Sequence, residues 1–241
     1  MKKHKKKKKI NAKGIFDNHL APKMIGRDSD ETIAIFCTLD RNYFYDVAKN
    51  FKLKERQVSS LVGFKDEFFV LTLINQVIKE LKLENIFYAK KVTANRKSGL
   101  SARKVFHNGK EFVLKLGGDF VIFRKHDDKP LMIIECKEYI DMIRLKEIIG
   151  ESRLIKDEIT GSINLLGGVL FCIFAEVLEL TEEWGTLLKL SDLRHRIDKI
   201  FIVRDGKRKD KNNKPVKATL IEFKNFIKVF SRKETPDMAE E

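Results

Sequence analysis

Four prolines and thirteen glycines in 241 residues leave no Pro/Gly/Ser-rich seam at which the chain would divide. No apolar run approaches the roughly 20 residues that span a bilayer, and Val169–Ala175, the longest such stretch, is far shorter. The basic N-terminus is not followed by an apolar segment, so a secretory signal is not expected. Cys37, Cys136 and Cys172 are odd in number and widely spaced, which excludes a disulfide framework and a CxxC zinc site. A reducing cytoplasm is the expected location. His107, His126 and His195 lack metal-ligand spacing, and no GxxxxGKS/T loop is present, so neither a histidine metal centre nor a nucleotide cofactor is expected.

What the chain has is positive charge and apolar residues. At 43% hydrophobic it can bury a sizeable core. Its 49 Lys and Arg exceed its 35 Asp and Glu by 14. Seven of those lysines lie in Met1–Lys9, and without them the remainder still carries +7. A basic excess spread through a folded body points to a polyanionic partner, nucleic acid before membrane.

The reading along the chain gives a disordered basic tail over 1–12, an N-terminal extension over 13–63, a core over 64–232 and a disordered tail over 233–241. Ile33–Leu39 reads as a short buried strand or helical turn, and Arg41–Asn50 and Leu53–Leu61 as helices. Phe64–Leu83 is the strongest helix, with Phe64, Phe68, Leu71, Ile74, Val77, Ile78 and Leu81 in one stripe. Ile86–Val92 reads as a strand. Asn108-Gly109 marks a tight hairpin between Lys104–His107 and Glu111–Leu116. A longer turn at 126–130 joins strands Asp119–Arg124 and Leu131–Lys137. Asp141–Thr160 is helical, Val169–Glu176 a buried strand, Thr181–Arg196 helical, Lys199–Arg204 a strand, and Ala218–Phe230 a strand or short helix. The order predicts an α/β fold, a mixed central sheet flanked by helices with an N-terminal helical extension. The helix after Lys137 has the length of a parallel crossover.

Side chains alternate along a strand, so Glu135 and Lys137 share a face. Antiparallel pairing through the 125–130 turn brings Asp119 to the same sheet edge. Two converging carboxylates repel unless a cation joins them. Oxygen-only ligands suit Mg²⁺, with Mn²⁺ as a substitute, and a lysine beside the ion can position or deprotonate an attacking water. Glu138 reads as a surface or salt-bridged residue, Asp141 as a helix N-cap, and Glu147 and Glu151 as a solvated face.

On these residues the chain resembles the PD-(D/E)xK nuclease superfamily, the fold of many type II restriction endonucleases and of archaeal Holliday-junction resolvases. Asp119, Glu135 and Lys137 match its motif, with Gly118 where the family name has proline. The resemblance implies a metal site of Asp119, Glu135 and the Cys136 backbone carbonyl, and a further acid from the preceding helix, matched by Glu67. It implies a Mg²⁺-dependent endonuclease cutting double-stranded DNA, a restriction enzyme acting as a homodimer. A structure-specific nuclease and a non-catalytic DNA-binding protein on the same fold are the alternatives. Three basic segments are candidate DNA contacts: Lys90–Lys97, with Arg96 and Lys97; the stretch after it, with Ser101, Arg103 and Lys104; and the Arg204–Lys217 loop, with Lys207, Arg208 and Lys209. The plain alternative for each is a solvated loop.

Overall fold

The computed structural model describes residues 11–92, 99–157, 168–185, 197–210 and 212–235, without the side chains of 101–105 and 114. Short helical turns from α1 (Ala12–Ile15) lead to α2 (Ser29–Thr38), α3 (Arg41–Asn50) and the long α4 (Glu55–Glu80). Asp28 and Asp40 cap α2 and α3, accepting the Glu31 and Tyr43 N–H groups at 2.8 and 2.9 Å. Each satisfies a donor that the first helical turn leaves open.

Five strands form one sheet in the order β1 (Phe87–Val92), β4 (Gly118–Arg124), β5 (Lys129–Ile140), β6 (Leu170–Leu178) and β7 (Lys199–Ile202). The β1/β4 and β4/β5 pairs are antiparallel, and β5/β6 and β6/β7 are parallel. The crossover from β5 to β6 carries α5 (Met142–Ile155), as the spacing requires. β2 (Leu100–His107) and β3 (Lys110–Leu116) form a separate ribbon. Its turn sets Asn108 and Gly109 at φ 50° and 72°, the left-handed pair that a two-residue hairpin needs. On this ribbon Phe106 and Phe112 are exposed.

Alternation along β4 divides the core. Phe120 and Ile122 join a large cluster under α2, α3, α4 and α6 (Lys217–Lys233), while Val121 and Phe123 join a smaller one under α5. Phe69, Phe174, Phe201 and Phe223 form a chain of ring contacts through the larger cluster, with centroids 5.0–6.0 Å apart. No described helix is long and apolar enough to cross a membrane.

Three expectations change. Residues 33–38 belong to a full helix, and 218–230 is helical throughout, because both bury a face in the same core: α2 packs on α4 and α6, and α6 on α4 and β7. The fully buried stripe of α4 runs through Phe69, Val70, Leu73, Ile74, Val77 and Ile78. Phe64 and Phe68 instead meet Phe16 edge to face, at 5.8 and 5.4 Å. The helix is covered on two sides, so its apolar residues spread round the axis. It also runs unbroken through residue 63, and the N-terminal helices share its core. Of the helix expected over Thr181–Arg196, residues 182–185 are helical and 186–196 lie outside the described residues.

Phe174 is fully buried between Phe69 and Phe223. Phe174→Ala is expected to lower stability by about 3–5 kcal/mol, the range for emptying an aromatic core position. Urea midpoints at an unchanged slope check it.

Candidate active site

β4 begins beside the middle of β5, and the site lies where the two strands part. Asp119 and Glu135 hold one another through backbone. Asp119 N–H donates to Glu135 Oε2 at 3.3 Å, and Asp119 Oδ2 accepts the Cys136 N–H at 2.8 Å. Lys137 Nζ donates to Glu135 Oε1 at 2.6 Å. The three expected residues therefore meet at one sheet edge, on the face that turns toward α5.

Their electrostatics follow from crowding. Burial and the Glu135 charge push the Asp119 carboxyl up to about 7, against the pull of the Cys136 N–H and Lys91. Glu135 is also raised, its burial outweighing Lys137. For Lys137, burial pulls the ammonium down, but the charge and hydrogen bond of Glu135 win and the net shift is upward. Lys137 is therefore a firmly protonated cation. Burial raises the Cys136 thiol well above its ordinary range, so it is not a thiolate.

A cleft of about 230 Å³ opens over these groups, lined also by Asp66 and Glu67 of α4, by Glu138 and by Arg144 of α5. Glu67 lies at this cleft, as expected from the helix position, and is ion-paired with Lys91. Asp66, beside it in sequence, is the more buried acid, at 3% exposure. Its Oδ2 takes Lys65 Nζ at 2.9 Å, its Oδ1 is buried without a partner, and burial followed by Glu176 raises its pKa. Sequence reading did not single out Asp66. Glu151, read as solvated, is close enough to push up the pKa values of both Glu135 and Lys137.

Behind Asp66 lies a buried ion cluster. Glu176 of β6 is fully buried, and its carboxylate meets Lys65 Nζ at 2.5 Å, Arg204 Nε at 2.9 Å and Arg41 Nε at 2.9 Å. Arg41 also pairs with Glu138 and donates to the Arg208 carbonyl. Arg204, which headed the expected DNA loop, is thus an interior residue, 1% exposed. The signal for this cluster was one acidic residue at the end of an otherwise apolar strand. Asp141 caps α5 through the Arg144 N–H at 2.8 Å.

Among the described residues, no group of three or more His, Cys, Asp or Glu side chains stands assembled as a metal centre. The donor chemistry still suits Mg²⁺. Two carboxylates converge, one raised by its neighbour, and a cation between them would relieve that repulsion. Of the candidate DNA contacts, Arg96 and Lys97 lie outside the described residues, as do the side chains of Arg103 and Lys104. Lys207, Arg208 and Lys209 line a second, more open cavity with Tyr45 and Glu179.

No protein-family model and no curated protein matches this sequence. Among solved structures, the chain is similar to the type IIF restriction endonuclease Bse634I with cognate DNA. The match has 13% identity and a TM-score of 0.54, and covers 94% of this chain and 96% of that one. A second structure, described as Bse634I restriction endonuclease, gives a TM-score of 0.48 at 13% identity, covering 83% and 86%. The chain has a restriction-endonuclease-like fold, a mixed sheet flanked by helices.

Two outcomes are expected. A carboxyl raised in the folded state keeps a proton that the unfolded chain has released. Stability therefore falls as pH climbs from the ordinary carboxyl value of about 4 toward 7. Asp119→Asn removes this loss, so metal-free thermal melts should give the variant a growing advantage between pH 5 and pH 8 and none at pH 4. At Gly118 an added Cβ would meet Ile133 Cγ2 at 2.5 Å. Gly118→Ala is expected to cost about 1–3 kcal/mol, as overpacking does, by equilibrium denaturation.

Proposed function

We propose that the protein is a Mg²⁺-dependent endonuclease that hydrolyses phosphodiesters of double-stranded DNA, as a type II restriction enzyme. The observation that carries this reading is the meeting of Asp119 and Glu135 beside Lys137 at the edge of a cleft. The net charge of +14 and the fold shared with an endonuclease solved on its cognate DNA support duplex DNA as substrate.

Asp119, Glu135 and the Cys136 carbonyl would hold the ion, with Glu67 at the rim. When bound, Mg²⁺ would lower the pKa of a coordinated water and neutralise charge on the scissile phosphate. Lys137 is protonated by virtue of Glu135, so its part is to orient the attacking water and to stabilise charge on the phosphoryl oxygens. The half-buried Asp119 and Glu135 are held through backbone N–H groups and need little rearrangement to act. Cutting both strands of a symmetric site calls for two copies of the chain, so the working form is a homodimer. Lys207, Arg208 and Lys209, with Arg96, Lys97, Arg103 and Lys104, flank the duplex.

The test is cleavage of plasmid DNA by purified protein. Fragments should appear with Mg²⁺ or Mn²⁺ and not with chelator, and sequencing their ends should give a common site. Lys137→Ala should cut at least about 10²-fold more slowly, the scale of a lost acid–base or orienting group. Glu67→Gln should slow cleavage less than Asp119→Asn. Robust cutting in chelator, or a Lys137→Ala rate equal to the parent, overturns the reading.

A further inference from the structure

Arg144 is a cation of the cleft wall that pairs with no carboxylate among the described residues. The other cation there, Lys137, is held by Glu135 at 2.6 Å. Arg144 stands in the first turn of α5. Its guanidinium carbon sits 4.0 Å from the centre of the Tyr139 ring, and its Nη2 donates to Tyr139 Oη at 3.0 Å. Tyr139 lies two residues beyond Lys137 on β5, on the same strand face. The ring therefore presents the guanidinium just past the catalytic residues.

A second guanidinium reaches the same ring. That of Arg208 lies 4.3 Å from its centre, and the Arg208 side chain is 53% exposed. Its nearest carboxylate oxygen, Glu138 Oε1, is 3.9 Å away and already pairs with Arg41. The Arg208 backbone is fixed on both sides, its N–H donating to Glu179 and its carbonyl accepting from Arg41. Two arginine heads thus meet one tyrosine ring, no farther apart than the sum of their distances to its centre. Stacking holds a guanidinium flat and leaves its edge donors free for a tetrahedral anion. Like charges are brought together here, beside a cleft whose one other cation, Lys137, is held by Glu135, and an anion between them would relieve the repulsion.

We propose that Arg144 and Arg208, gathered on Tyr139, form a phosphate-binding site that grips the nucleic-acid strand next to the scissile position. This rests on the DNA-cleaving reading for the identity of the strand, while the site itself is a claim about phosphate recognition. Arg144 acts there as a positioning residue.

The experiment measures binding of a 20-base-pair duplex, selected from a random-sequence pool for tightest binding to the protein, in Ca²⁺ buffer, from 50 to 200 mM salt. A scan replaces single phosphates with neutral methylphosphonates. One phosphate contact contributes about 0.9 to the slope of log affinity against log salt, so Arg144→Ala should lower that slope by about one. One methylphosphonate position should weaken wild-type binding about tenfold, the scale of a charge-assisted bond, and weaken Arg144→Ala no further. Arg208→Ala should respond at the same position or its neighbour. Arg144→Gln, close in size, repeats the test should the alanine variant melt early, and Tyr139→Phe, which keeps the ring, should retain most of the affinity. An unchanged slope, a methylphosphonate loss in Arg144→Ala equal to wild type at every position, or absence of duplex binding by the wild type overturns the proposal. The readout needs no turnover. Protein that binds as expected yet never cuts with Mg²⁺ sinks the nuclease reading and leaves the phosphate site standing. A flat Arg144 scan in a protein that cuts through Asp119 does the reverse.

Discussion

Everything near the cleft depends on one buried carboxylate. Glu176 stands fully inside, at the end of β6, with the side chains of Lys65, Arg41 and Arg204 around it. Ions taken out of water are costly, and the cost is recovered only where opposite charges surround them at hydrogen-bonding distance. With three cations on it, Glu176 stays charged, held below the ordinary glutamate range by Lys65, Arg204 and Arg41 against its burial. Removing the acid would leave Arg204 buried with no carboxylate partner among the described residues, and Lys65 and Arg41 each short of one. Partners from α3, α4, β6 and the loop after β7 must therefore arrive in one geometry.

That geometry reaches the cleft through adjacent residues. Lys65, bonded to Glu176, also bonds Asp66, which lines the same cleft as Asp119 and Glu135. Arg41 touches Glu176 on one side and Glu138 on the other, and Glu138 immediately follows Lys137. The acidic residues of the site are thus set between an interior network and an open mouth. Their crowding leaves Asp119 and Glu135 with raised pKa values and an affinity for positive charge. Such crowding costs stability and is the usual mark of a functional pocket.

Much of this was legible because two local signals are strong. Period-two alternation and a five-residue turn placed Asp119 against Glu135, and the register of Phe120 on Ile134 and Val121 on Ile133 agrees. The crossover length gave the parallel step to β6. The acids of α4 were harder. Neighbouring positions on a helix point about 100° apart, and this helix is apolar on two sides, so its pattern did not decide whether Asp66 or Glu67 lies deeper. Arg204 looked like the start of a charged loop, because its partner lies 28 positions earlier in another strand. Arg144 carried no signal at all: its meaning comes from Tyr139, five residues before, at a distance set by the strand-to-helix turn.

The ion cluster also bears on the order in which the molecule can form. Its members are drawn from positions 41, 65, 176 and 204, so its closure depends on contacts of very long sequence separation. Such contacts are entropically late, since long loops must be closed before they reward the chain. During synthesis, α4 can emerge and coil well before Arg204 exists. Until then Lys65, Arg41 and Glu176 have no complete set of partners, and the wall that carries Asp66 has no fixed support. β4 and β5 can pair early, through a local hairpin, but the cleft they open into is finished only when the last third of the chain has docked.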